Sequence, residues 1–426
     1  MRLQPPPMVP AAETDELSDS RPVPHPVKNQ ASLTPQKLRP HQPKALSMPE
    51  VVVKPVASRR EKKLFLHYPW KQYQGDPVWI PPLRVNQKEQ VGYSKNPFYD
   101  KNDIQTFLAF RDGEVCGRIA AIHNRAHNEA HNENRGFWGF FESIDDQEVA
   151  DALFGTVRDW FAERDIHQLR GPTNPSMNGE IGLLIEGFDT SPYFMMTYNP
   201  PYYERLVEES GFRKTQDLYA YWGNMDMLPA VLERWTPICQ QIIERFEVNV
   251  RPLDKTRFRQ DVEAFVSVYN RAMSNTWGFV PMTEDEVRHQ AKGLKQLMVP
   301  DLSIAAEIDG NIIGACFALL DYNPRIKAID GRLFPFGFWK LLSNKRAIKR
   351  LRLVSTNVIP EYQLHGIGLV LMSGFVPKAI EWEMEEAEFS WVLESNTFSR
   401  GSLEKGGAKR TKTYRIYDWE AGDSGE

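Results

Sequence analysis

The run VSTNVIPEYQLHGIGLVLM, Val354 to Met372, constrains this chain more than any other stretch. A β-branched apolar segment, a proline, a glycine pair and a second apolar segment read as a buried strand, an exit, a tight loop and a helix. Gln363, Gly366 and Gly368 stand in a Q-x-x-G-x-G spacing. Such a loop suits a pyrophosphate at a helix N-terminus. The first-turn N–H groups lack intrahelical partners, the dipole favours anions, and glycines remove the Cβ that would hold phosphate away. Two common nucleotide loops are excluded. A P-loop needs Lys and Ser or Thr where Leu369 and Val370 stand, and Gly374 comes too late for G-x-G-x-x-G.

The chain is long enough for two or three cores, at 426 residues and 41% hydrophobic content. A formal net charge of −4 and a pI near 6.2 argue against general affinity for nucleic acid or anionic membrane. Cys116, Cys239 and Cys316 are scattered without metal-ligand spacing, so no metal is expected and the thiols fit a reducing compartment. No segment reaches the length of a membrane span, and the N-terminus lacks the apolar core of a signal peptide. A soluble cytoplasmic protein is expected.

Residues 1–55 are rich in Pro, Ser and Gln and read as a disordered tail. LFLHYPWKQYQGDPVWIPPL, from Leu64, reads as a packed irregular segment. FLAFRDGEVCGRIAAI is a hairpin turning at Asp112-Gly113, and FWGFFES is a buried strand. A helix over 145–164, strands over 168–170 and 194–197, and a helix ending at Gly211 complete a first unit. A helix from Leu228 to Phe246 leads to a second succession of similar order. It comprises a strand over 247–252, helices over 259–270 and 283–297, and a hairpin at Asp309-Gly310. The opening run with its helix to Glu383 follows, then strands over 387–393 and 413–417.

The glycine loop after a central strand resembles the acyl-CoA-binding Q/R-x-x-G-x-G/A motif of the GNAT acyltransferase superfamily. A second motif of that superfamily, N-x-x-A-x-x-x-Y-E-K-x-G-F, runs in register from Asn396. Ser399 stands at the Ala position, Leu403 at the Tyr, Glu404-Lys405 at the Glu-Lys, Gly407 at the Gly and Ala408 at the Phe. The resemblance implies an α+β fold with a mixed sheet, built as two tandem GNAT-like domains over 60–225 and 247–420 with a linking helix over 226–246. It also implies acyl-CoA, by default acetyl-CoA, as co-substrate, and transfer to a small-molecule or peptide amine. The backbone of Asn357, Val358 and Ile359 would pair with pantetheine. Gln363, Leu364, His365, Gly366, Ile367 and Gly368 would hold the pyrophosphate, with His365 touching a phosphate or facing solvent.

Asn396 would hydrogen-bond the cofactor arm or cap the next helix. Glu394 is the candidate general base, with Glu307 as a second. Leu403 cannot protonate a departing thiolate as the tyrosine often found there does. In the first unit IDDQEVAD replaces the glycine loop, and Asp145, Asp146 and Glu148 would cap the helix and repel a pyrophosphate. Its irregular run RGPTNPSMNGE offers Arg170, Asn174, Asn178 and Glu180 as a candidate acceptor pocket. The basic stretch KLLSNKRAIKRLRLV, from Lys340, reads as a solvated face or a partner for the 3′-phosphate of CoA. Two other readings are a non-catalytic CoA-binding protein of this fold and a Fem-type aminoacyl transferase.

Overall fold

A capping box starts the first helix where the sequence suggests irregular structure. Ser58 accepts from Glu61 N at 3.2 Å, and Glu61 Oε2 accepts from Ser58 N at 2.7 Å. Helix α1 (Arg59–Gln72) follows and buries Phe65, Tyr68 and Pro69. Pro69 has no N–H for the carbonyl of Phe65, and Arg118 Nη1 donates to that carbonyl instead, at 2.8 Å. In this way a proline sits inside a helix without leaving a buried acceptor unpaired. The computed structural model describes residues 50–254 and 256–422, so most of the expected disordered tail lies outside the described residues. Its last residues form an edge strand, β1 (Val52–Pro55), paired to β2.

The remaining elements of the first half are α2 (Arg84–Gln90), β2 (Asp103–Arg111), β3 (Glu114–His123), α3 (Arg125–His131), β4 (Gly136–Ser143), α4 (Gln147–Ala162) and β5 (Gln168–Gly171). The short strands β6 (Thr173–Asn174), β7 (Glu180–Ile181) and β8 (Leu183–Glu186) precede α5 (Tyr203–Glu209) and β9 (Arg213–Asn224). The segment 194–197, expected as a strand, is irregular, and β8 makes the nearby sheet contact instead. The second half comprises α6 (Leu228–Phe246), β10 (Asn249–Pro252), α7 (Phe258–Ala272), α8 (Glu284–Leu294), β11 (Ser303–Ile308) and β12 (Asn311–Leu320). It continues with α9 (Asn323–Ala328), α10 (Gly337–Leu342), β13 (Arg350–Val358), α11 (Ile367–Glu381), β14 (Glu386–Leu393), α12 (Thr397–Lys405) and β15 (Lys409–Glu420).

Both halves build the α+β mixed sheet expected from the sequence, and they build it jointly. The strand order is β1-β2-β3-β4-β5-β15-β9-β14-β13-β12-β11-β10. The halves exchange their last strands: β15 lies against β5, with Tyr417 opposite Gly171, and β9 lies against β14, with Tyr221 opposite Phe389. The two final strands also pair with each other, Thr413 opposite Tyr219. Each half thus completes the other's sheet. The one parallel pair in each half, β4·β5 and β13·β14, diverges after a few residues.

Candidate functional site

The gap that opens between β13 and β14 is the centre of the site. These strands pair from Arg350 opposite Glu386 to Leu353 opposite Phe389, and β14 then turns to β9 through Val392 and Leu393. β13 keeps its other edge on β12 as far as Val358. Ile359 N donates to Ile313 O at 2.9 Å, so alternation turns Asn357 and Ile359 toward β12 and Thr356 and Val358 toward the gap. The expected trio of backbone contacts is corrected accordingly: of the three, only Val358 turns its backbone groups toward the gap. Its carbonyl accepts from Gln363 Nε2 at 3.0 Å, which ties the start of the glycine loop to the strand.

Helix α11 starts at Ile367 behind an N-cap glycine. Gly366 has φ 82°, and a Cβ there would stand 2.5 Å from Ile242 Cδ1 on α6, so no other residue fits without strain. A Cβ on Gly368 would meet nothing within 4 Å, which leaves the first turn open. Leu364 is exposed at φ 64°. The His365 ring packs edge-on against Phe246 with centroids 5.4 Å apart, and its Nδ1 lies 3.0 Å from Gln363 O. From α6, the exposed Arg234 lines the same opening and forms no ion pair among the described residues. A bare helix N-terminus therefore adjoins the loop, which fits a phosphate-bearing ligand, while Arg234 lies about two helical turns along α6 from Ile242, the residue that meets Gly366.

A cavity of about 1360 Å³ runs from this loop through the gap. On the far side its walls are Phe265 and Tyr269 of α7, Val287 and Leu294 of α8, and Phe317 and Leu353 of the sheet. Met177, Asn178 and Trp277 close it, so the first half supplies part of the wall. The lining is mainly apolar, and its polar groups gather where the strands part. Arg352, 2% exposed, donates through Nε to Ser390 Oγ at 2.8 Å, through Nη2 to Ser390 O at 3.0 Å, and through Nη1 to Phe194 O and Met195 O. Ser390 Oγ in turn donates to Glu388 Oε1 at 2.7 Å. Burial pushes the Glu388 carboxyl up to about 7, with Arg352 opposing the rise. Burial likewise raises Glu180 to about 7, again against the pull of Arg352. The Glu388 carboxyl, poised near neutrality, thus stands opposite a buried guanidinium and is joined to it through Ser390, the environment in which acid–base groups are found.

Other residues singled out in the sequence take structural positions. Glu394 is half-buried at the surface and paired to Lys214 at 2.9 Å, away from the cavity lining. Glu307 is held by Arg251 at 2.7 Å. Asn396 lines the cavity and also caps α12, accepting from Ser399 N at 3.0 Å. Leu403 lines the cavity too. Arg170 is taken by Asp418 of β15, at 2.8 Å, and stacks on Trp277. Asn174 Oδ1 accepts from Phe140 N at 2.7 Å. Asn178 lines the cavity while donating to Val280 O at 2.7 Å. Of the proposed pocket, then, Asn178 lines the cavity and Arg170, Asn174 and Glu180 do not. Within the basic stretch, Lys349 pairs with Glu383, Arg350 approaches Glu386, and Arg352 is buried. Glu388 was not apparent in the sequence, where it reads as one more acid in the run EMEEAE.

The corresponding place in the first half is closed. Asp146 accepts from Glu148 N and Val149 N at the start of α4, and Arg111 bridges Asp146 and Glu148. Between β4 and β5 the chain presses in, so that a Cβ on Gly139 would lie 1.8 Å from Thr173 O. The donors and the gap that a pantetheine arm would use are both occupied.

No family model matches the sequence. Protein YghO of Escherichia coli is 32% identical over 375 residues, covering 86% of this chain and 95% of that protein. The bacterial ceramide synthase of Caulobacter vibrioides is 35% identical over 379 residues, covering 87% of this chain and 97% of that protein. The chain belongs to the family of these two proteins. Among solved structures, a tandem GNAT protein from the clavulanic acid biosynthesis pathway superposes with a TM-score of 0.51 at 11% identity, covering 88% of this chain and all of that one. A GCN5-related glucosamine N-acetyltransferase region of a fungal multi-domain β-N-acetylglucosaminidase gives 0.52 at 12% identity, covering 89% of this chain and 39% of that one. The YghO and ceramide synthase family member described here thus has a tandem GNAT fold, as the sequence motifs implied.

Proposed function

We propose that this protein is an acyltransferase that moves a long acyl chain from acyl-CoA to the amine of a long-chain amphiphile, forming a ceramide-type amide. The observation that carries this reading is the size and lining of the cavity. The cavity of about 1360 Å³ takes in the glycine loop and the strand gap, and beyond them it continues between α7, α8 and β13, where its walls are apolar. The ceramide synthase relative supports the same class of product. In this reading a long acyl chain, in place of the acetyl group expected by default, covers those walls.

In this reading the α11 N-terminus and the glycine loop from Gln363 hold the pyrophosphate, and the free edge of β13 at Thr356 and Val358 aligns the pantetheine arm. The amine nitrogen attacks the thioester carbonyl, the C–N bond forms, and the C–S bond breaks with the electron pair leaving on sulfur. The ammonium proton passes through Ser390 Oγ to Glu388, whose neutral-range affinity lets it accept and release one proton per turnover. Arg352 fixes the Ser390 hydroxyl so that it points at Glu388. The amine is taken up uncharged or loses its proton in the site; either way the carboxylate form of Glu388 is the active one.

The test is thiol release and amide formation, followed together by absorbance and mass spectrometry, with palmitoyl-CoA and a sphingoid amine. Thiol release that depends on the long-chain amine supports the reading. Faster turnover of acetyl-CoA with a short amine would refute it. Binding of CoA without turnover would favour a non-catalytic protein, the reading that Leu403 in the expected tyrosine position supports.

A further inference from the structure

The segment between β12 and β13 carries an apolar cluster that the acyl-transfer site does not use. Phe334, Phe336 and Trp339 are 78%, 72% and 74% exposed, and Phe338 is 42% exposed. Four large aromatics within six residues make a contiguous patch rather than the scattered apolar residues of an ordinary surface. The backbone beneath them is tied down. Leu341 is buried, Phe338 N donates to Leu333 O at 2.7 Å, and Arg325 donates to the carbonyls of Leu341, Ser343 and Asn344. The rings therefore project from a fixed support.

Along the chain this segment is basic. From Gly331 to Pro360 there is no Asp or Glu, while Arg332, Lys340, Lys345, Arg346 and Lys349 fall within this stretch. Arg332 and Lys340 are exposed beside the rings; Arg332 Nε lies 3.5 Å from Asp330, and Arg346 and Lys349 face Glu381 and Glu383, while Lys340 has no acidic partner among the described residues. The chain as a whole carries a net charge of −4, so the basic character is local. Screening over about 8 Å at physiological salt lets such a local excess act independently of the rest of the surface. The segment is also joined to the cavity: Lys345 Nζ donates to Met298 O at 3.3 Å, and Met298 lines the cavity wall.

We propose that this aromatic and basic segment docks the protein on an anionic phospholipid bilayer, so that a membrane-borne amine enters the cavity from the lipid phase. Aromatic rings flanked by Lys and Arg suit the headgroup region, where rings enter the acyl boundary and cations meet lipid phosphates. A protein partner would have to offer four ring-sized pockets and an acidic rim together. An anionic bilayer offers both properties at any lateral position. This inference deepens the long-chain acyltransferase reading, and the two are tested apart.

The experiment is co-sedimentation of the full chain with phosphatidylcholine vesicles and with phosphatidylcholine–phosphatidylglycerol vesicles. Wild type is expected to bind the anionic vesicles and to be released by high salt. A Phe334→Ala, Phe336→Ala, Trp339→Ala variant and an Arg332→Glu, Lys340→Glu variant should each lose binding by roughly tenfold or more, with unchanged Tm because these side chains are exposed. Both variants should turn over a detergent-solubilised amine at the wild-type rate and a vesicle-borne amine slowly. Wild type that ignores anionic vesicles overturns the proposal, as does either variant binding like wild type. So does a triple variant that changes only self-association or the capture of an acidic acyl-carrier protein. Vesicle binding without any turnover would leave docking standing and remove the acyltransferase reading.

Discussion

Arg352 and Glu388 stand opposite each other on the parallel strands β13 and β14, and the Ser390 hydroxyl joins them, accepting from the guanidinium and donating to the carboxylate. They occupy the rung next to the last before the strands part. In the proposed reaction, a proton leaving a substrate in the gap would have a hydrogen-bonded path through Ser390 to a carboxylate that is 1% exposed.

Glu388→Gln should lower kcat by about 10²–10⁴ with little change in KM for acyl-CoA. The wild-type rate should rise with pH through about 7, as the raised Glu388 carboxyl ionises, and level off above it. The variant should lose that limb. Glu180→Gln, whose carboxyl is raised to about 7 as well, serves as the control: if it alone removes the limb, the base is Glu180.

Acyl-CoA should raise the melting temperature of the wild type, by an amount equivalent to about 2.7 kcal/mol at a hundredfold excess over Kd. Gly366→Glu should abolish the increase, because a carboxylate would face the pyrophosphate and the residue sits at φ 82° against Ile242. Persistence of the full increase in that variant would place the nucleotide elsewhere. Asp146→Asn in the first half should leave ligand-induced stabilisation unchanged, since Thr173 still closes that gap.

Ala291→Phe, on the α8 wall, should shift chain-length preference toward shorter substrates, as the added ring takes cavity volume. Competition between acyl-CoAs of different length, read by mass spectrometry, checks this. An unchanged preference would mean that the long chain lies elsewhere.

Asp418→Asn should destabilise the whole described fold by roughly 2–3 kcal/mol, less than a fully buried pair because Asp418 is partly exposed. It leaves Arg170, at 7% side-chain exposure, without its main partner. Because β15 belongs to the sheet of both halves, calorimetry should show one transition moving as a unit. Two separable transitions would mean that the halves fold independently.

Much of the architecture is legible in residue order. The hairpin turns at Asp112-Gly113 and Asp309-Gly310, the capped helix at Thr283 and the helix Leu228–Phe246 follow from local backbone chemistry, and the structure has them at those places. The glycine loop and the acidic first turn of α4 are likewise local, so the difference between the two halves shows in the sequence. Helix α1 was missed because Pro69 reads as a breaker, whereas a distant arginine satisfies the carbonyl it leaves unpaired. The ion pairs of Glu394 and Arg170 are not legible in the sequence, because their partners, Lys214 and Asp418, come from strands far away in the chain.

By itself, then, the sequence determined the glycine loop, the helix behind it and the half that lacks such a loop, since each depends on backbone groups within a few residues. Only the tertiary structure decided that the halves exchange their final strands, that Glu388 lies beside Arg352, and that a large apolar cavity opens between β13 and β14. Strand periodicity tells which face a side chain takes, while the neighbour across the sheet sets its charge, its burial and its chemistry.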